Sequence, residues 1–181
     1  MLDFSKNFFE LFGLPENYIV DIGDLTERYR DLQRVVHPDR FASSSDQERR
    51  ISLQASTLIN EAFQTLKDPM LRARYMLALH GVELDADAKS TQDMGFLMQQ
   101  MELREVMAEA KDRPDPLAVI ADILEGIDRS MQELGGQLIA NFELATPKHL
   151  EQAKDIVLKM QFLQKLQLDA ESLEAELEDA L

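Results

Sequence analysis

The sequence predicts a wholly α-helical fold, with a helical hairpin in the first half and three further helices in the second, on three observations. Apolar residues recur at the helical period in every long segment. Helix-opening chemistry stands ahead of the apolar rows: Ser45 with Glu48, Asp115 before Pro116, and Thr146 before Pro147. Strand-like alternation is absent throughout.

The first arm of the hairpin is marked by Leu25, Tyr29, Leu32 and Val36, at i, i+4, i+7 and i+11, which fall in one narrow stripe. It must stop at His37, because the ring of Pro38 disfavours the α region for the residue before it and turns the imidazole away from the helix axis. Asp39 and Arg40 follow in a loop. The second arm opens at Ser45, whose hydroxyl and the Glu48 carboxylate can satisfy each other's unpaired amides. Its apolar row is Ile51, Ala55, Leu58, Ala62 and Leu66.

By itself, His37-Pro38-Asp39 reads as a turn in which Pro38 ends a helix and Asp39 bonds the local backbone. Between two helices it also reads as a charged tip offered to another protein. Arg30 and Arg34 lie opposite the apolar stripe and face water or a partner, and Arg28 and Arg40 extend that basic face. Glu27 with Arg30 and Asp31 with Arg34 are i, i+3 pairs that would support the helix by a few tenths of a kcal/mol, a role compatible with docking.

Gly81 and the polar stretch Glu83 to Thr91 mark a domain boundary, giving a first domain over 1–80, a linker over 81–91 and a second domain over 92–181. The helix expected over Gln92 to Lys111 has a sufficient core stripe in Phe96, Leu103, Met107 and Ala110, within about 60° of one another. Leu97 and Met101, with Met94 and Met98, form a second apolar strip rotated by roughly 100° or more, and Glu102, Glu105 and Glu109 continue that side. Two readings stand: methionines filling gaps in a bundle, or an adaptable binding surface edged by carboxylates. The next helix carries Ile120, Ile123, Ile127, Met131, Leu134 and Leu138, with a bend expected at Gly135-Gly136. The last carries Ala153, Ile156, Met160 and Leu163, with loosening expected at Asp169 to Ser172. Leu158 and Phe162 lie opposite its core row, a second surplus apolar face.

The net charge of −15 is uneven, because residues 81–181 carry 9 basic and 22 acidic side chains against 10 and 12 in residues 1–80. Such a charge repels nucleic acid and anionic lipid and points to a basic protein partner or to nothing beyond solubility. With no cysteine, a disulfide framework or thiolate chemistry is excluded. His37, His80 and His149 are far apart and form no ligand motif, so neither metal nor cofactor is expected. No leader-like or membrane-spanning stretch is apparent, and a cytoplasmic location is expected.

The tripeptide arises by chance in roughly one chain of this length in a hundred, so its flanks decide. Phe8-Phe9-Glu10-Leu11-Phe12-Gly13-Leu14 before the hairpin, Ile59-Asn60-Glu61-Ala62-Phe63-Gln64-Thr65-Leu66-Lys67-Asp68-Pro69 at its end, and Arg72-Ala73-Arg74-Tyr75 after it resemble the J domain, a helical hairpin plus two short helices. Phe96-Leu97-Met98-Gln99-Gln100-Met101-Glu102-Leu103-Arg104-Glu105, Met70 to Gly81 and Phe162-Leu163-Gln164-Lys165-Leu166 resemble the HscB family, bacterial J-type co-chaperones of iron–sulphur cluster assembly whose second domain is a three-helix bundle.

The resemblance implies a co-chaperone that is not itself an enzyme. It would bind a specialised DnaK-class ATPase through His37, Pro38, Asp39, Arg28, Arg30, Arg34 and Arg40, and stimulate its ATP hydrolysis. It would bind the cluster scaffold protein through Leu97, Met98, Met101, Glu102, Glu105, Glu109 and Phe162. This arm is less basic than the lysine-rich version of many J domains, which favours a dedicated ATPase over a general one. Competing readings are a J protein with another client, a structural helical adaptor and, with no catalytic motif in its support, a small acid–base enzyme.

Overall fold

The computed structural model describes residues 3–37, 45–84, 91 and 93–179. Pro38, Asp39, Arg40, Gln92 and most of the expected linker lie outside the described residues. Seven α-helices run in order: α1 Phe8–Phe12, α2 Ile22–Val36, α3 Asp46–Lys67, α4 Pro69–Leu79, α5 Met94–Glu109, α6 Pro116–Leu144 and α7 Pro147–Asp179. A 3-10 turn, Ala110–Asp112, follows α5, and no strand occurs among the described residues. Two compact units divide after Met76, inside α4.

In the first unit, α2 and α3 form the expected hairpin. Asp21 caps α2 by accepting from Gly23 N (2.8 Å) and Asp24 N (3.1 Å), and Ser45 and Glu48 make the reciprocal box that opens α3. Leu25 and Val36 are buried from the α2 stripe; on α3, Ala55, Ile59, Ala62, Phe63 and Leu66 are buried, the row turned slightly from the expected one toward Ile59 and Phe63. Tyr29 explains the turn, since its ring stacks on Phe63 with centroids 4.2 Å apart.

The short α1 survives because both ends are tied. Asn7 and Glu10 form a capping box, and Gly13, at φ 64°, lets Gly13 N and Leu14 N reach back to the carbonyls of Glu10 and Phe9. Tyr75 of α4 stacks on Phe8 at 4.3 Å and its hydroxyl accepts from Phe8 N. Arg72, only 6% exposed, lies over the Tyr18 ring and donates to the Leu66 carbonyl, satisfying an acceptor that the last turn of α3 leaves unpaired.

In the second unit, Ile120, Ile123, Ile127, Met107, Ala110, Leu163, Leu166 and Ala170 form one cluster, against which Phe96, Leu103, Met131 and Leu134 pack half-buried. Asp115 caps α6, with Pro116 in its first turn as expected. The loosening expected at Asp169 to Ser172 is corrected: α7 is helical through it, as α6 is through Gly135-Gly136. The long pairing of α6 with α7 holds both segments helical, outweighing the modest helix penalty of glycine and of Asp and Ser. No helix among the described residues is long and apolar enough to cross a membrane.

Candidate functional site

The first candidate site is the tip of the α2/α3 hairpin. His37 takes φ −56° and ψ 129°, the extended conformation that a following proline demands, and is exposed. Its placement is fixed one residue earlier. The Val36 carbonyl, left without an intrahelical donor, accepts from the Ser52 hydroxyl, which is 4% exposed. Further back, Asn60 Oδ1 accepts from Tyr29 Oη (2.9 Å) and Gln33 Nε2 (2.6 Å), so α2 is held against α3 by polar as well as apolar contacts.

Ser52→Ala is therefore expected to lower the unfolding free energy by about 1–3 kcal/mol, the usual cost of a buried acceptor left unpaired. A urea denaturation midpoint unchanged in that variant would show that the bond does not hold the tip.

Tyr29, Arg30, Gln33, Arg34 and His37 line a shallow hollow of ≈ 550 Å³, so the structure brings the imidazole and two of the expected arginines to one face. Arg34 pairs with Asp31 at 3.0 Å while remaining largely exposed. Arg28 is used differently. Its guanidinium bonds Asp24 (2.8 Å) and the carbonyls of Phe12 (2.9 Å) and Gly13 (3.0 Å), capping the end of α1, and the Asp24 hydrogen bond holds its pKa above the ordinary value. The sequence signal for that role was Phe12-Gly13, a helix end where a cation is favoured.

The second candidate site lies on α5 and α7. Met94, Met98 and Met101 are 68, 59 and 63% exposed, whereas Met107, on the core stripe of the same helix, is 8% exposed. Leu97 and Phe162 are half-buried, and Glu102, Glu105 and Glu109 are exposed. Glu109 bonds Arg113 at 2.8 Å. Phe162 reaches α5 through an edge-to-face contact with Phe96 (6.4 Å, 85°), and the Arg104 guanidinium lies 5.7 Å from its ring centre. Leu158 is also half-buried.

A polar clamp sets where this strip stands. Asp93 caps α5: its Oδ1 accepts from Phe96 N (3.0 Å) and its Oδ2 from Lys159 Nζ (2.8 Å). Lys159 also holds Asp155 at 3.0 Å, and Asp155 accepts from the buried Thr91 hydroxyl. Sequence reasoning missed Thr91, Asp93, Asp155 and Lys159 as a group, because its members are 64 and 66 residues apart. Burial alone would lower the Lys159 pKa, but the hydrogen bonds it donates to Asp93 and Asp155 and their charges outweigh it and hold it raised.

Asp93 is held below the ordinary 3.8 chiefly by its hydrogen bond from Lys159. A carboxylate depressed in the folded state stabilises it above the unfolded value and ceases to do so as pH falls through the folded one. Asp93→Asn is thus expected to be less stable than the parent at neutral pH, and the gap should close below pH 3.8. Urea midpoints of the two proteins across that range check it; an equal gap in acid would rule the clamp's charge out.

The family model of the HSCB C-terminal oligomerisation domain matches residues 92–171. The co-chaperone protein HscB homologue of Shewanella woodyi is 41% identical over 168 residues, covering 93% of this chain and 97% of that one. The chain belongs to the HscB family. Another HscB homologue, of Shewanella amazonensis, is 39% identical over 96% of this chain and 99% of its own. Among solved structures, chaperone HscB from Vibrio cholerae matches with a TM-score of 0.86 at 36% identity, covering 95% of this chain and 99% of that chain. The human co-chaperone HscB matches with a TM-score of 0.83 at 32% identity, over 93% and 82%. As an HscB-family protein this chain is a J-type co-chaperone of the class associated with iron–sulphur cluster assembly, built from a J domain and a helical C-terminal domain.

Proposed function

We infer that this HscB-family chain bridges two proteins: it binds an iron–sulphur cluster scaffold, delivers it to a specialised DnaK-class chaperone and stimulates that chaperone's ATP hydrolysis. The ATPase side comprises His37, Pro38, Asp39, Arg30, Arg34 and Arg40, with Arg28 adding charge from the edge while it anchors α1. The scaffold side comprises Leu97, Met98, Met101, Glu102, Glu105, Glu109 and Phe162. The chain itself performs no bond-making step. Its contacts favour the hydrolysis-competent state of the ATPase, which requires tighter binding to that state than to the other. A cytoplasmic setting is part of the same reading.

The observation that carries this reading is the outward Met98 and Met101 on a helix that already supplies the bundle core through Met107 and, in the turn that follows it, Ala110. Thioether side chains adapt to a partner's relief, and the bordering carboxylates select a basic counterpart. The test is to combine this protein with a cluster scaffold and a DnaK-class ATPase and follow phosphate release. Scaffold and co-chaperone together should raise turnover more than the two separate increments added; simple additivity would remove the bridging role.

A further inference from the structure

The second unit holds another apolar surface, on the other side of α5 from the methionine strip. A groove of ≈ 590 Å³ runs between α5 and α6, with Leu103, Val106, Val119, Ile123 and Ile127 in its walls and Gly126 at its centre. Leu103 and Val106 stand about 140° round the helix from Met98 and Met101. Glu102 is the single residue shared by the two surfaces. Gly126 borders open space in this groove: a Cβ added there would meet nothing within 4 Å.

We propose that this groove docks a cationic amphipathic helix of a partner protein, a contact separate from the scaffold strip. Three observations identify the occupant. The walls are helices whose backbone groups are already paired within them, so an extended peptide would find no edge to bond, whereas a helix brings its own bonds satisfied. The groove spans about 10 Å along α5 and about 16 Å along α6, two to three turns of helix. Its charged lining residues, Glu102 and Asp122, are exposed and carry no ion pair among the described residues.

Charge favours a cationic occupant: residues 81–181 hold 9 basic and 22 acidic side chains, so a lysine-rich helix is drawn in.

The probe is a labelled synthetic peptide of about 18 residues, long enough to hold a helix, with leucines on one face and lysines on the rest. The control replaces its leucines by alanine. The full chain is expected to bind the leucine peptide one-to-one, weakening with salt, and to ignore the control. Gly126→Leu fills the groove, removes a helix-weakening glycine, and should cut affinity at least tenfold with a melting temperature no lower than the parent's. Asp122→Lys, at an exposed position that leaves packing intact, should weaken binding several-fold. The double variant Leu97→Ala with Phe162→Ala should leave it within twofold.

Unchanged binding in both Gly126→Leu and Asp122→Lys would overturn the proposal, as would loss of binding in the Leu97/Phe162 variant instead. Sedimentation showing self-association of the parent that Gly126→Leu abolishes would assign the groove to a second copy and overturn it equally.

Discussion

Asp39→Ala and His37→Gln are each expected to reduce stimulation of the partner ATPase by about thirtyfold or more, the factor that corresponds to losing a contact of roughly 2 kcal/mol at the centre of an interface. The fold should not suffer. His37 is exposed, and the hairpin beneath it is held by the Tyr29–Phe63 stack and by the bonds of Ser52 and Asn60, none of which involves the imidazole. The size of the effect follows from geometry. An extended His37 at the end of α2 stands beside Arg30 and Arg34, so imidazole and guanidinium groups meet a partner as one surface. Turnover measured with scaffold present, alongside circular dichroism, decides the matter. Full stimulation by a folded variant would leave the tip with no role beyond turning the chain.

The second large effect is expected from Leu97→Ala combined with Phe162→Ala, which should weaken scaffold binding by about a hundredfold, near 3 kcal/mol for two truncated apolar anchors. Both side chains are half-buried, so each is partly seated in the bundle and partly offered outward. Phe162 is fixed edge-on by Phe96, and a ring already held in place loses little further freedom on binding. Exposed Met98 and Met101 would add area around these anchors. The bundle core should persist, because Ile120, Ile127, Leu163 and Leu166 are buried without help from either residue. Equilibrium binding to the scaffold gives the affinity, and a retained helical spectrum shows that the bundle is intact. Parent-like affinity would reduce the strip to packing.

These expectations also separate what could be read early from what could not. Element type and order were legible because they depend on neighbours three or four residues apart: the Ser45/Glu48 box, Asp115-Pro116, the isoleucine row of α6 and the Gly81 boundary are local devices. The two-faced character of α5 was legible for the same reason, as periodicity on one segment. Whether the second, methionine strip would fill gaps in the bundle or remain outside was not. A stripe of Phe96, Leu103, Met107 and Ala110 and a strip of Met94, Met98 and Met101 differ little in hydrophobicity, and only the position of α6 and α7 buried the first and exposed the second.

By itself, then, the amino-acid sequence determined an all-helical chain, a proline-forced end to α2 at His37 and a surplus of apolar surface on α5, because each is governed by backbone sterics or by the helical period. Tertiary structure alone decided that Arg28 caps α1, that Thr91, Asp93, Asp155 and Lys159 meet in one clamp, and that a groove lies between α5 and α6. Those features join segments far apart in the chain. No local rule encodes them, since they exist only once packing has brought distant charges and vacant volume together.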